Sequence, residues 1–83
     1  MYTLFKERWY LDNTVQTKHE VEKEHCATLE IARENMLYDF DKIAGNWTTC
    51  LLKNSFIATH RDSKGFCDRI IQYGILQGEV EEA

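Results

Sequence analysis

Four side chains of the kinds that bind metal ions lie close together in the first third of the chain: His19, Glu22, His25 and Cys26. Glu22 and His25 have the Glu-x-x-His spacing that supplies ligands in di-iron helical bundles. Such a centre needs a second copy of the motif on another helix, and the sequence contains none. A hydrogen-bonded core histidine is the commoner role for a residue such as His25, so we predict no metal site here.

The cysteines could in principle supply zinc ligands or a nucleophile. Cys26, Cys50, Cys67 and His60 fall on different predicted elements and lack the close Cys-x-x-Cys pairs typical of structural zinc sites. Cys67 falls near the start of a predicted helix, where the helix dipole favours a reactive thiolate, but no motif supplies a general base. We therefore expect three free, buried thiols in a reducing compartment, with no cofactor and no catalytic residue.

Composition limits the chain to one small domain. Its 83 residues suffice for one hydrophobic core, and 43% hydrophobic and 29% charged residues are ordinary for a globular protein. The net charge of −4 disfavours nucleic acid as the partner. No apolar run approaches the roughly 18 residues of a membrane span, and no signal-peptide pattern opens the chain. We expect a soluble, cytoplasmic protein without membrane association.

The first half of the chain predicts a strand and a long helix. Residues 2–11 alternate in polarity and are rich in aromatic side chains, which is typical of a strand. Thr17 and Glu20 match a capping box, which predicts a helix from Lys18 onward, and Gly45 would end it. The helix would cover residues 18–43, with apolar positions at steps of three or four: Val21, His25, Leu29, Ala32, Met36, Phe40 and Ile43.

The second half predicts a hairpin and a short helix. Residues 47–52 and 56–61 favour strands, and Asn54 suits the turn between them. Asp62 or Ser63 would cap a last helix whose inner face carries Phe66, Cys67, Ile70, Ile71, Gly74 and Ile75, ending at Gly78. The β-α-β-β-α order predicts an α+β fold, with a three-stranded, mainly antiparallel sheet and both helices packed on one face. Residues 1–78 would form a single domain and residues 79–83 an acidic flexible tail.

The long predicted helix carries a second line of residues opposite its core stripe. In this line Ile31 and Tyr38 are framed by acidic side chains, as in a binding patch with an apolar centre and a charged rim. The predicted partner-binding residues are Glu20, Glu24, Ala27, Ile31, Glu34, Tyr38 and Asp41. They predict a non-enzymatic protein-interaction module, an inhibitor or adaptor, whose protein partner has a basic-rimmed apolar surface. So long a helix would also pair with its symmetry mate in a homodimer.

Two alternatives from other classes stay open. Residues 45–76 have a local charge of +2, which favours a small nucleic-acid-binding protein that uses the hairpin of residues 47–61 and the last helix. Its contact residues would be Trp47, Lys53, His60, Arg61, Lys64 and Arg69. The other alternative is a metal- or thiol-dependent enzyme. Size and charge also resemble those of virus-encoded inhibitors and nucleic-acid mimics, which is an analogy and not a family resemblance.

Overall fold

The computed structural model describes residues 1–78, so the predicted tail of residues 79–83 lies outside the described residues. The elements are β1 (Tyr2–Asp12), β2 (Val15–Cys26), α1 (Leu29–Ile43), β3 (Thr48–Leu51), β4 (Ser55–Arg61) and β5 (Cys67–Gln77). The five strands form one antiparallel sheet in the order β2-β1-β5-β4-β3. The predicted three-stranded sheet with two helices is therefore wrong, although both α and β structure are present.

The first error concerns β2, which was predicted to be the first half of the long helix. Asn13 and Thr14, the two residues between β1 and β2, both have positive φ, at 48° and 69°. Positive φ at both positions is the requirement of a tight type I′ hairpin turn, which sends the chain straight back along β1. Thr17 caps no helix, because its hydroxyl donates to the Tyr10 carbonyl at 3.3 Å. The long-range pairing with β1 outweighs the local capping signal.

The second error concerns β5, which was predicted to be the last helix and is the middle strand of the sheet. A central strand has apolar side chains on both faces, so its apolar residues lack the strict alternation that marks a half-buried strand. Asp62, a predicted helix cap, instead organises the β4–β5 turn: its Oδ1 accepts from the backbone amides of Lys64 and Phe66 at 2.8 and 3.0 Å. Gly65 supplies the positive φ, 87°, that this turn needs.

Helix α1 corresponds to the C-terminal part of the long predicted helix. Thr28 is its N-cap, and the Thr28 hydroxyl accepts from the Ile31 amide at 3.1 Å. Ala32 and Met36 are buried against the sheet, and Phe40 packs edge-on against Phe56. The buried hydrophobic core consists of Leu4, Cys26, Ala32, Met36, Phe56, Ala58 and Tyr73.

Side chains alternate between the two faces of the sheet, and α1 packs on only one of them. The registers Leu4↔Ile75, Lys6↔Tyr73 and Phe56↔Tyr73 place these residues on the helix-facing side. The registers Phe5↔Gly74, Trp9↔Ile70 and Ile57↔Gln72 place the intervening residues on the opposite side, which no element of residues 1–78 covers. We call this side the open face; its main residues are Phe5, Glu7, Trp9, His19, Val21, Lys23, His25, Cys50, Ile57, Ile70, Gln72, Gly74 and Leu76. Thr3 lies on the same side between His25 and Leu76, and it is fully buried at that corner of the face.

Candidate functional site

The structure keeps together four of the seven predicted partner-binding residues. Ile31, Glu34, Tyr38 and Asp41 lie one above the other along the exposed side of α1, with Ile31 42% and Tyr38 66% exposed. Ala27 is exposed in the short connection from β2 to α1, so it borders this group at most. The remaining two residues, Glu20 and Glu24, belong to β2 and not to the helix.

The exposed side of α1 combines apolar and acidic side chains. We call it the outer helix surface: Glu30, Ile31, Glu34, Leu37, Tyr38 and Asp41. Leu37 adds a third apolar side chain to this surface and is 40% exposed. No ion pair found within residues 1–78 includes Glu30, Glu34 or Asp41. The Lys42 ammonium lies 4.1 Å from the centroid of the Tyr38 ring, which helps to hold that ring in place.

Glu24 belongs to a network of ion pairs and hydrogen bonds between the sheet and α1. The buried Lys6 ammonium lies 3.2 Å from a Glu24 carboxylate oxygen and 3.3 Å from Asp39 Oδ2. The Asn35 amide donates to the other Glu24 oxygen at 2.7 Å, and the Tyr73 hydroxyl donates to Asp39 Oδ2, also at 2.7 Å. Since Asn35 and Asp39 are on α1, these contacts fasten the helix to β1, β2 and β5. The structure therefore gives Glu24 a helix-fastening position.

Charge pairing sets the protonation states in this network. Burial would lower the pKa of Lys6, but its hydrogen bond to Glu24 and the charge of Asp39 outweigh burial and raise it. Burial would raise the pKa of Asp39, but the Tyr73 hydroxyl and Lys6 lower it. The pKa of Tyr73 is raised by burial and by its hydrogen bond to Asp39. A protonated lysine, an ionised carboxylate of weakened basicity and a neutral phenol are poorly suited to act as nucleophile or general base.

A cleft of about 260 Å³ opens beside this network. Its polar lining comes from Arg8, Asp39, Lys42 and Tyr73, and its apolar walls are Ile43 and Ile71. The Arg8 guanidinium donates to the Tyr73 hydroxyl at 3.0 Å and to Glu22 at 3.4 Å. Most of the charge at the mouth of the cleft is thus already paired within the protein.

The predicted nucleic-acid residues fall at two ends of the sheet. Lys53 is in the β3–β4 turn, whereas Arg61 and Lys64 are at the β4–β5 turn, at the far end of a seven-residue strand about 23 Å long. His60 and Trp47 have ring centroids 5.1 Å apart, and the partly buried Trp47 packs on the core. Arg69 is exposed near the His60 end. Lys53 is therefore separated from the rest of this set.

Two residues of the set at that end, His60 and Arg61, have partners within the protein. His60 Nδ1 lies 2.6 Å from Asp68 Oδ1, and this contact lowers the pKa of Asp68. The Arg61 guanidinium donates to the Gly65 carbonyl at 2.8 Å. Lys64 and Arg69 are exposed at this end and are in none of the ion pairs found within residues 1–78, so part of the predicted set is kept together here without Lys53.

The four potential metal ligands near β2 are divided between the two faces of the sheet. His19 and His25 are on the open face, while Glu22 and Cys26 are on the helix-facing side, because strand residues alternate. The prediction that His25 lies in the core is wrong, because His25 is exposed. In the described part of the chain no three His, Cys, Asp or Glu side chains are grouped closely enough to hold a metal ion.

The three cysteines have different environments, all as free thiols. Cys26 is buried, and burial followed by the charge of Glu24 raises the pKa of its thiol. Cys50 is exposed on the open face and Cys67 is half-buried, so the prediction of three buried thiols is wrong for these two. Cys67 also begins a strand and not a helix, which removes the dipole argument for a reactive thiolate.

The open face is a second exposed apolar surface, which the sequence interpretation missed. Val21, Ile57 and Leu76 are 45%, 41% and 48% exposed there, although large apolar side chains usually lie inside. Two shallow hollows of about 270 and 320 Å³ lie along it. The available signal was the alternation of Phe5, Glu7 and Trp9 in β1, whose second face became apparent only once β5 was known to be a strand.

Charge is scarce on the open face. Within residues 1–78, Glu7 and Lys23 are the Asp, Glu, Lys or Arg residues of this face, and they have opposite charges. A Glu7 oxygen lies 3.0 Å from His19 Nε2, and His19 stacks on Trp9 with ring centroids 5.0 Å apart. The Lys23 ammonium lies 5.7 Å from the Phe5 ring centroid. Both charges are therefore held against the face.

Comparisons with protein-family models, with curated proteins and with solved structures found no significant match to this chain. Within residues 1–78 no helix has the length and apolarity that crossing a membrane would require.

Proposed function

We propose that this protein is a non-enzymatic protein-interaction module, an inhibitor or adaptor, that binds a basic protein partner through the outer helix surface. The observation that carries the proposal is the exposure of Ile31 and Tyr38 at the centre of an acidic helix surface. The core does not require these side chains, because α1 is attached through Ala32, Met36 and Phe40. Burial of Ile31 and Tyr38 against a partner would therefore contribute favourably to the free energy of binding.

Charge complementarity supports a partner that differs from this chain. Two outer helix surfaces facing each other would bring together six carboxylates, from Glu30, Glu34 and Asp41 of each copy, which is unfavourable. An apolar groove lined by lysine or arginine would accept the same helix side with favourable charge contacts. The predicted pairing of the helix with its symmetry mate is therefore disfavoured, and a basic partner is favoured.

The proposal retains a cytoplasmic location, in line with three cysteines that form no disulfide. It also retains a non-catalytic role, because the buried charged groups are paired with one another and fasten α1 to the sheet. Nucleic acid stays a less favoured partner, given the distance between Lys53 and the other basic residues of its proposed site.

The test is photo-crosslinking from position 38 in host lysate, with a crosslinking phenylalanine analogue in place of Tyr38 and the same analogue at Lys53 as control. The identified protein is then titrated with the purified chain. Ile31→Ser together with Tyr38→Ala is expected to raise Kd at least tenfold, or about 1.4 kcal/mol, because truncated interface centres lose most. The control pair Lys53→Ala and Lys64→Ala is expected to leave Kd unchanged. Equal losses from both pairs would refute the proposed surface.

A further inference from the structure

We propose that the open face is a homodimer interface, in which two copies pack sheet against sheet and leave their α1 helices on the outside. The proposal is independent of the outer helix surface. It starts from the two-layer build of the chain, whose smallest extent is 15 Å, the thickness of one sheet and one helix layer. A third layer is missing from residues 1–78 on the side where Val21, Ile57 and Leu76 are exposed.

The area of the open face fits a stable dimer. The strands β1 and β5 each have 11 residues, about 36 Å at ~3.3 Å per residue. Five strands about 4.8 Å apart make the face about 24 Å wide, and the shorter β3 and β4 reduce its area to roughly 700 Å². A standard protein–protein interface takes about 800 Å² from each partner, so this one face nearly supplies the required area.

The charges of the open face make it complementary to itself. A two-fold interface brings identical surfaces together, so a suitable face must be neutral or carry charges that cancel across the axis. Among residues 1–78, the open face has one acidic residue, Glu7, and one basic residue, Lys23. Glu7 and Lys23 cancel in net charge, whereas the outer helix surface carries the three carboxylates of Glu30, Glu34 and Asp41.

The centre of the open face has relief that a second copy can fill. Gly74 lies opposite Phe5 in the middle of the sheet, and a methyl group added there would meet no atom within 4 Å. The resulting hollow of about 270 Å³ is bordered by Phe5 and Leu76. A large apolar side chain next to an unfilled hollow on the same surface is the arrangement that a two-fold partner can match reciprocally.

The experiment measures the mass of the purified chain by sedimentation equilibrium from 1 to 200 μM. The unchanged protein is expected to approach twice the 9.8 kDa of one chain. Ile57→Lys and Leu76→Lys are each expected to weaken association at least tenfold, because the two-fold axis duplicates the added charge in an apolar contact. Leu37→Lys is the matched control, since Leu37 is 40% exposed on α1 and Ile57 is 41% exposed on the open face.

Three results would overturn the proposal. The unchanged protein could remain at 9.8 kDa at 200 μM, and this outcome needs no variant to fold. Dissociation by Leu37→Lys with the open-face variants still dimeric would identify helix pairing instead. A single chain that carries a lipid or another apolar molecule in native mass spectrometry would identify a different occupant. None of these results depends on the partner of the outer helix surface, so the two proposals succeed or fail separately.

Discussion

Replacing Lys6 by methionine tests the polar network that joins α1 to the sheet. Lys6 is 8% exposed, and its ammonium contacts carboxylates of Glu24 and Asp39. Methionine keeps much of the apolar stem but leaves both carboxylates without their cation. Removing one partner of a fully buried pair costs about 3–5 kcal/mol. The carboxylate side chains here are 39% and 27% exposed and partly solvated, so we expect about 1–2 kcal/mol.

The pH dependence separates charge from packing in the Lys6→Met variant. In the unchanged protein the pKa of Asp39 is lowered on folding, so its contribution is present above its usual pKa of 3.8 and is lost as pH falls through the folded value. The pKa of Lys6 is raised above its usual 10.5, so its contribution is complete below that value and is lost only in strong alkali. The difference in stability between the two proteins should therefore be full at pH 7 and shrink below about pH 4.

Urea unfolding followed by circular dichroism at pH 7 and pH 3 measures this difference, with the m-values compared to check that unfolding stays two-state. At pH 7 the variant should also melt about 4–8 °C lower for each kcal/mol lost. Lys64→Met is a suitable control, because Lys64 is exposed in the β4–β5 turn. A loss that is equal at both pH values would refute the charge argument and attribute the effect to packing alone.

Three further changes follow from the geometry. Thr14→Gly should raise the free energy of unfolding by about 1 kcal/mol in urea titration, because Thr14 has a φ of 69° that glycine adopts without strain; lower stability would contradict the turn assignment. At low micromolar concentration a thiol reagent should modify Cys50 quickly and Cys26 only on unfolding, and mass spectrometry of the products would expose the opposite order. Ile31→Ser with Tyr38→Ala should leave the melting temperature nearly unchanged, and a drop of more than about 5 °C would place these residues in the core.

The sequence was informative where one local signal agreed with the tertiary environment. The spacing of Ala32, Met36 and Phe40 predicts the inner side of α1 correctly, and residues 2–11 are indeed a strand. The capping-box pattern at Thr17 gave a wrong prediction, because Thr17 lies in β2. No other local pattern in the sequence indicated a strand there. The decisive turn at Asn13 and Thr14 was ambiguous, because threonine seldom adopts positive φ and so gave no hairpin signal.

The candidate site was predictable only in part for the same reason. Ile31 and Tyr38 were placed together because both are on a true helix, whereas Glu20 and Glu24 were joined to them by a helical period that does not apply in β2. The open face could not be found at all from a three-stranded sheet with β5 misassigned as a helix. Its residues come from five strands and have no common spacing along the chain.

The strand order implies that the sheet cannot be completed before β5 is in place. β1 pairs with β2, and β3 pairs with β4, but these two hairpins are joined in the sheet only through β5. β5 is also the last element of the described chain, and its end meets the beginning, where the Gly78 amide donates to the Met1 carbonyl at 2.7 Å. During synthesis the hairpins and α1 would therefore wait, with their apolar sides uncovered, until residues 67–77 leave the ribosome. Because β5 pairs with β1, about 70 residues away along the chain, folding depends on long-range contacts and should take milliseconds to seconds.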